Sequence, residues 1–404
     1  MKVAAVVIPT YQEARSIGTV LEELIRDVMP RTSWDCHVLV VDANSPDGTA
    51  DVVRSFMARC TRIHLSVEDQ KSGLGAAYGK GFRHAMDVLG ASAVIEFDGD
   101  AQHPPGVIPL LLDEIDAGAD LVLGSRRRRG GSYPRGWSFQ RRFFSTVGGF
   151  VSRLLLFFPT SAFWKVTDPT TGLKATRVDG RLRALDLGAL RAGFSYKLQM
   201  LFQLVRAGAR VSEVPLQFRL RTEGESKLGR QEPMEILWTC LLLRLRDPGT
   251  RRFFRFALVG FSGYVVNGLL LELLSRASAL KALAGSFDFA RSTLLAFLSQ
   301  AAAWASLLSA EGSILNNFLW NNFWTFRTGQ RPPARGFVGR LLWFNLASVG
   351  AILIQAVFVG FAAHFLGEST LVRQASLVVA IVALVLPFNW LVYSRLIWKK
   401  TTEA

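Results

Sequence analysis

Two aspartates one residue apart, Asp98 and Asp100, follow a short apolar run at 93–97 and are themselves followed by Gln102. Carboxylate and amide oxygens are hard ligands, and an Asp-x-Asp at a strand terminus suits Mg²⁺ or Mn²⁺ holding a diphosphate. In isolation such a pair is more often two solvated loop aspartates. Its meaning therefore rests on the elements around it.

Those elements alternate. Apolar, β-branched runs at 3–8, 37–41, 62–67, 93–97 and 120–123 are separated by stretches of helical periodicity at 17–29, 49–59, 76–89 and 107–116. Strands alternating with helices of this length predict an α/β domain with a mainly parallel sheet, whose ligands sit beyond the carboxyl ends of the strands. The polar candidates fall at those ends. Residues 9–13 follow the first run, 42–47 the second, 98–102 the fourth, and Ser125 with Arg126 the fifth. Pro9, Tyr11 and Glu13 offer a ring and a carboxylate suited to a nucleoside, and Asp42 ends a buried strand. Lys71-Ser72-Gly73-Leu74-Gly75 opens a helix with glycines that permit close backbone approach to a phosphate. It lacks the Lys-Ser/Thr ending of an ATPase loop and the spacing of a dinucleotide fingerprint, so both of those readings fail.

Together PTYQE (9–13), DANSPDGT (42–49), KSGLGAAY (71–78), DGDAQHPP (98–105), GSR (124–126), DPTTG (168–172) and EVPLQFRLRTEGESKLG (213–229) resemble a family 2 glycosyltransferase, nearest to the polyprenol-phosphate (dolichol-phosphate) mannose synthases. The resemblance spans about 3–229 and implies a GT-A (Rossmann-like) fold, a divalent metal, a nucleotide-sugar donor and a lipid-phosphate acceptor. It places Asp98, Asp100 and Gln102 on the metal, and Pro9, Tyr11, Glu13, Asp42 and Lys71 around the donor. Arg126, Arg141, Arg221, Ser226 and Lys227 are implied for phosphate groups: Arg126, Arg141 and Ser226 on the acceptor, Arg221 and Lys227 on the donor. A guanidinium fork suits a phosphate oxygen pair. Asp100, Arg126 and Arg141 are the residues expected to act on the reaction itself. The chain departs from the family pattern at Ala43, where a second acidic residue is usual, and near Leu201, past the Tyr196-Lys197 pair.

A lipid phosphate is ionised near neutral pH, so transfer to it needs no general base; it needs cations that let two anions meet. His103 reads equally as an orienting or a plain structural histidine, and Asp168 leans towards a structural role. For Arg127, Arg128 and Arg129 a solvated basic loop is an equal reading. The apolar stretch 143–165 fits either a core helix or, preferably, an interfacial segment guiding a prenyl chain.

Composition changes after Arg252. Four apolar stretches, near 253–274, 292–315, 341–363 and 371–394, each approach the ~20 residues that span hydrocarbon. The net charge of +15 concentrates before and between them, and no nucleic-acid motif accompanies it. Anionic lipid and phosphorylated ligands are the expected partners. The motifs around Arg255–Gly260 (RFALVG) and 316–326 (NNFLWNNFWTF) resemble the GtrA-like membrane domains, which implies an all-α four-helix transmembrane domain. The expected division is therefore 1–230 for the transferase, 231–250 for an amphipathic interface helix and linker, and 251–404 for the membrane domain. Glu272 and Glu311 lie near helix ends and read as interfacial. Residues 1–9 are too short and too soon broken by Pro9 to be a signal peptide, and the basic loops predict both termini and the transferase on the cytoplasmic side of the cell membrane. Cys36, Cys60 and Cys240 have no paired or metal spacing, which fits a reducing compartment.

The expected activity is mannosyl transfer from GDP-mannose to polyprenol (dolichol) phosphate with inversion. The alternatives are a UDP-glucose-dependent glucosyltransferase, or a lipid-linked sugar translocase with a non-catalytic transferase domain.

Overall fold

The strands β1 (Val3–Thr10) and β2 (Asp35–Asp42) pair in parallel from Val3 opposite Asp35 to Thr10 opposite Asp42, so both end at the same level. That register follows from two apolar runs buried on both faces, as expected where helices cover a parallel sheet. With β3 (Ile63–Val67), β4 (Ala93–Glu96), β5 (Leu121–Ser125), β6 (Lys174–Arg177) and β7 (Val211–Pro215) they form a seven-stranded sheet in the order β3-β2-β1-β4-β6-β5-β7. Only β6 runs antiparallel, between β4 and β5. The computed structural model describes residues 1–220, 232–286, 301–326, 336–366, 375 and 379–398.

Helices α1 (Ala14–Asp27), α2 (Thr49–Met57), α3 (Leu74–Asp87) and α4 (Ile108–Asp116) follow the first four strands. Two apolar cores result, one on each face: Ile17, Val20, Leu21 and Leu24 of α1 with Val53 and Ile108 on one side, Tyr78 and Phe82 of α3 with Leu156 and Tyr196 on the other. Next come α5 (Phe139–Phe157), the short α6 (Ala162–Lys165) and α7 (Gly180–Arg183), α8 (Tyr196–Arg206) and α9 (Glu232–Arg246). Of α8, eight residues are buried, including Lys197 and Gln199. The chain divides into two compact units, Met1–Leu245 and Arg246–Ala404.

The apolar stretch around 143–165 is a helix with two characters. Gly149, Ser152, Leu156 and Phe157 of α5 are buried, whereas Phe139, Phe143, Phe144, Phe150 and Leu154 stay exposed, as does Trp164 beyond it. It is thus core on one side and apolar surface on the other, where the sequence offered a choice between the two. Helix α9 carries a similar outer face of Met234, Leu237, Trp238 and Leu241, and Arg244 ties it to α5's end by donating to the Phe158 carbonyl at 2.9 Å.

In the second unit the helix Pro248–Ser275 starts on Asp247, whose carboxylate accepts from the Thr250 N–H at 2.9 Å. Helix Ala301–Trp320 packs along it through Ser313 donating to the Gly263 carbonyl at 2.8 Å and Asn316 donating to Ser262 at 3.0 Å. Side-chain hydrogen bonds of this kind join helices where apolar burial discriminates poorly. Phe256, Phe318, Phe344, Tyr393 and Trp398 form the aromatic core, and Asn322 accepts from both Arg340 and Trp398. Among the described residues one helix, Pro248–Leu270, is long and apolar enough to cross a bilayer; Phe337–Ala351 and Val382–Ile397 are shorter apolar helices. The second and fourth expected spans fall partly outside the described residues.

Candidate active site

A cavity of about 880 Å³ opens at the carboxyl ends of the strands, within the first unit. Its lining follows the strand order: Glu68 after β3, Ala43 after β2, Pro9, Tyr11 and Glu13 after β1, Asp98 to His103 after β4, and Arg126 after β5. Trp137 just before α5, Arg141, Phe144 and Val147 of α5, and Ile236 and Leu237 of α9 continue the wall. The loops are held under tension. Gln12, Asn44 and Ala101, the non-glycine residues at positive φ (55°, 53° and 59°) among the described residues, lie just past β1, β2 and β4. Such conformations cost ~1–3 kcal/mol each and persist where the surroundings enforce them.

The carboxylate loop is built from behind. Tyr78, wholly buried in α3, donates to the Phe97 carbonyl at 3.0 Å and to Asp98 Oδ1 at 3.2 Å. Lys197, 3 % exposed at the start of α8, stands 3.3 Å from Asp98 Oδ2, and His103 Nδ1 lies 3.7 Å from the same oxygen. Burial opposes the charge on Asp98, but Lys197 and the Tyr78 hydroxyl hold its pKa below the usual carboxylate range. His103 is packed between Phe97 and Phe218, and burial, with Lys197 and Arg126 adding to it, pulls its pKa down to about 4. It is therefore neutral, and neither ring nitrogen has a hydrogen-bond partner among the described residues. A deeper tier supports this one: Tyr196 donates to Glu96 Oε2 at 2.9 Å, and Lys174 stands 3.5 Å from it. Lys197, Lys174 and Glu96 had no place in the sequence reading of the site, and only the Tyr196-Lys197 pair was noted.

On the nucleoside side two expectations change. Asp42 does not line the cavity. It is fully buried, accepting from Thr10 Oγ1 at 2.8 Å and from the Ser45 N–H and hydroxyl at 2.8 and 2.7 Å. Because β1 and β2 end in register, its carboxylate ties the two loops together behind the wall. The glycines of 71–78 likewise serve the chain's own packing rather than a phosphate. A Cβ at Gly73 would stand 2.8 Å from that of Ala192, one at Gly75 would strike the Arg191 carbonyl, and the Leu74 N–H is taken by the Ala192 carbonyl at 2.7 Å. Lys71 does reach the cavity, its ammonium 4.1 Å above the Tyr11 ring.

On the other side Arg126 is 9 % exposed and forms a two-pronged pair with the fully buried Asp168, Nε to Oδ2 and Nη2 to Oδ1 at 2.7 Å each. Burial disfavours both charges, yet each holds the other: Arg126 is raised and Asp168 lowered from their ordinary values. Glu213 of β7 fixes the same loop by accepting from the Thr167 and Asp168 N–H groups at 2.6 and 3.1 Å. Asp168 thus holds Arg126 in place, and Arg126 lines the cavity. Arg127 is not a solvated loop residue, because it donates to carbonyls of Thr167, Ser145 and Thr146; Arg128 and Arg129 are exposed. Arg141 stacks over Trp137 at 4.2 Å and lines the cavity. Arg221, Ser226 and Lys227 lie outside the described residues.

Comparison with known proteins agrees with this architecture. The glycosyl transferase family 2 profile matches residues 5–169, and the GtrA/DPMS transmembrane domain profile matches 255–398. An undecaprenyl-phosphate mannosyltransferase of Micrococcus luteus is 39% identical over 223 residues, covering 55% of this chain and 86% of the relative. The chain belongs to glycosyltransferase family 2. A polyprenol monophosphomannose synthase of Mycolicibacterium smegmatis is 34% identical over 235 residues, 58% of this chain and 83% of its own. A dolichol-phosphate mannosyltransferase of Pyrococcus furiosus is 29% identical over 358 residues and covers both units, 88% of this chain and 89% of its own. This family 2 glycosyltransferase therefore joins a GT-A sheet domain to a helical, membrane-associated domain.

A glycosyltransferase of this fold implies a divalent cation, and the donor set fits one. Asp98, Asp100 and Gln102 share one loop and one cavity wall, and the Gln102 N–H donates to Asp100 Oδ1 at 3.1 Å. Gln102 Nε2 is given to the Arg219 carbonyl at 3.3 Å, so its amide oxygen is the atom available to a cation.

Proposed function

We propose that the chain transfers a mannosyl group from GDP-mannose to a polyprenol phosphate, with inversion, at the cytoplasmic face of the membrane. The observation that carries the reading is the course of the cavity. One space runs from oxygen ligands behind β4, past Arg126 and Arg141, to apolar side chains of α5 and α9. It offers in sequence what a nucleoside diphosphate, a phosphate and a prenyl chain each require. The names of the relatives support mannose as the sugar and a polyprenyl phosphate as the acceptor.

In this reading Asp98, Asp100 and Gln102 hold Mg²⁺ or Mn²⁺, which when bound neutralises the leaving diphosphate. Tyr78 and Lys197 keep Asp98 ionised and in place. No side chain has to remove a proton, since the acceptor oxygen is already anionic. Arg126, immobilised by Asp168, and Arg141, immobilised on Trp137, draw that anion towards the donor; preorganised charges of this kind need no rearrangement during the reaction. A single displacement at the anomeric carbon inverts its configuration. The exposed phenylalanines of α5 and the outer face of α9 lie at the bilayer surface. The second unit carries the membrane spans, and the transferase unit faces the cytoplasm. Arg221 and Lys227 bind donor phosphate and Ser226 acceptor phosphate.

The test is sugar transfer by the purified chain in detergent, with a short polyprenyl phosphate and either GDP-mannose or UDP-glucose, with Mn²⁺ or with chelator. Metal-dependent transfer from GDP-mannose is expected. Transfer from UDP-glucose alone would replace the donor, and transfer from neither would return the transferase unit to a binding role.

A further inference from the structure

Glu68 immediately follows β3, at the end of the cavity farthest along the strand order from Arg126, and its side chain is 2 % exposed. Its Oε1 accepts from Lys80 Nζ at 2.6 Å and from Ser72 Oγ at 2.9 Å. Its Oε2 is buried and has no hydrogen-bond partner among the described residues. A buried carboxylate oxygen left unpaired is costly, and such atoms in native proteins call for an explanation. Here the surroundings supply one. The same wall carries Ala43, a small residue that leaves room, and the Tyr11 ring with the Lys71 ammonium above it. An aromatic platform, a cation and an acceptor-only anion together suit a planar heterocycle with N–H donors on one edge and a carbonyl beside them.

We propose that Glu68 reads the base of the nucleotide donor and selects guanine, its Oε2 accepting from the N1–H and 2-amino edge. The inference rests on the donor reading above and sharpens it. Guanine presents two adjacent N–H donors to a carboxylate, and its 6-carbonyl faces the opposite kind of group, which Lys71 supplies. Hypoxanthine keeps the ring N–H and loses the amino group. Uracil offers one N–H flanked by two carbonyl oxygens, which a carboxylate repels. Glu68 is in this account a specificity residue and takes no part in bond making.

The experiment measures GDP, IDP and UDP binding to the purified full chain in detergent with Mn²⁺, by calorimetric titration, alongside mannosyl transfer from GDP-mannose. The unaltered chain is expected to prefer GDP to IDP by about tenfold or more, the scale of one hydrogen bond to a charged group. Glu68→Gln brings GDP to the level of IDP. Lys80→Met removes the surface partner, keeps the carboxylate, and keeps the preference. An unaltered chain that does not separate GDP from IDP overturns the role of Glu68. So does a Glu68→Gln variant that keeps the preference, or a Lys80→Met variant that loses it to the same extent. In each of those cases continued transfer from GDP-mannose leaves the donor reading standing. Tighter binding of UDP than of GDP, with transfer from UDP-glucose, overturns both.

Discussion

The two halves of the sheet treat their acidic groups differently. Where β1, β2 and β4 end, carboxylates are held by hydroxyls with no ammonium closer than 3.3 Å among the described residues: Asp42 by Thr10 and Ser45, Asp98 by Lys197 at 3.3 Å and Tyr78, and Glu96 by Tyr196 with Lys174 at 3.5 Å. Where β5 and β7 end, Asp168 is fully taken up by Arg126, and Glu213 is satisfied by two backbone N–H groups and the Thr167 hydroxyl. Hydroxyl donors fix a carboxylate without cancelling it, so the first half keeps negative charge for a cation. A buried fork pair locks both groups in one geometry, so the second half holds its guanidinium fixed. The first is suited to hold an ion, the second to hold an arginine still.

Breaking the second half should cost most in stability. Asp168→Ala leaves the Arg126 guanidinium buried and unpaired, and an orphaned buried charge costs ~3–5 kcal/mol. Chemical or thermal unfolding in detergent should show a loss of that size, and a change under 1 kcal/mol would mean that Arg126 finds solvent. Breaking the first half should cost activity instead. Asp100→Ala is expected to lower transfer roughly 10²–10³-fold, the scale for losing one preorganised electrostatic group, with unfolding little changed. Retained transfer would remove Asp100 from the reaction.

The contrast also explains what could be read from the chain. The β1, β2, β4 and β5 strands are mainly apolar runs, and β3 alternates apolar with polar residues; all five were legible within a few residues of their ends. The β6 and β7 strands were not, because each carries a buried charge: Lys174 beside Glu96 in the sheet centre, and Glu213 beneath the Thr167 loop. In β4 the buried Glu96 follows three apolar residues and precedes Phe97, so its run stays legible, whereas Lys174-Ala175-Thr176-Arg177 and Val211-Ser212-Glu213-Val214-Pro215 have too few consecutive apolar residues for that. That Asp98, Asp100 and Gln102 share one cavity wall was legible because they are neighbours in sequence. Arg126 was legible at its strand end, but the ion pairs were not, because Arg126 and Asp168 are 42 positions apart and Lys197 is 99 from Asp98, so only the fold brings them together. Asp42 was misplaced for a related reason: sequence shows that it ends a strand, but not that β1 ends beside it.

His103 tests how far the neutral-donor half resists protonation. Its folded pKa of about 4 lies below the ordinary 6.5 because burial, Lys197 and Arg126 disfavour a second cation there. A histidine whose folded value is depressed contributes stability that is fully present above the unfolded pKa and is lost as pH falls towards the folded one. Stability should therefore decline between about pH 6.5 and 4, by about 3 kcal/mol from this group. In His103→Gln the melting temperature should fall less steeply over that window. Equal slopes for the two chains would place the acid sensitivity elsewhere.

The smallest expected effect is the most discriminating. Tyr78→Phe deletes one hydroxyl, which donates both to the Phe97 carbonyl and to Asp98 Oδ1. The ring keeps its stack on Tyr196, with centroids 5.1 Å apart, so packing is nearly unchanged. Stability should fall by only about 1 kcal/mol. If Asp98 is a ligand that Tyr78 merely orients, affinity for Mn²⁺ should drop by about 10-fold, the scale for losing a partner behind a metal ligand. If instead Lys197 alone fixes Asp98, Mn²⁺ affinity should be unaltered in Tyr78→Phe and should change in Lys197→Gln. The two variants together separate a carboxylate held by a neutral donor from one held by a charge, which is the difference between the two halves of the sheet reduced to a single residue.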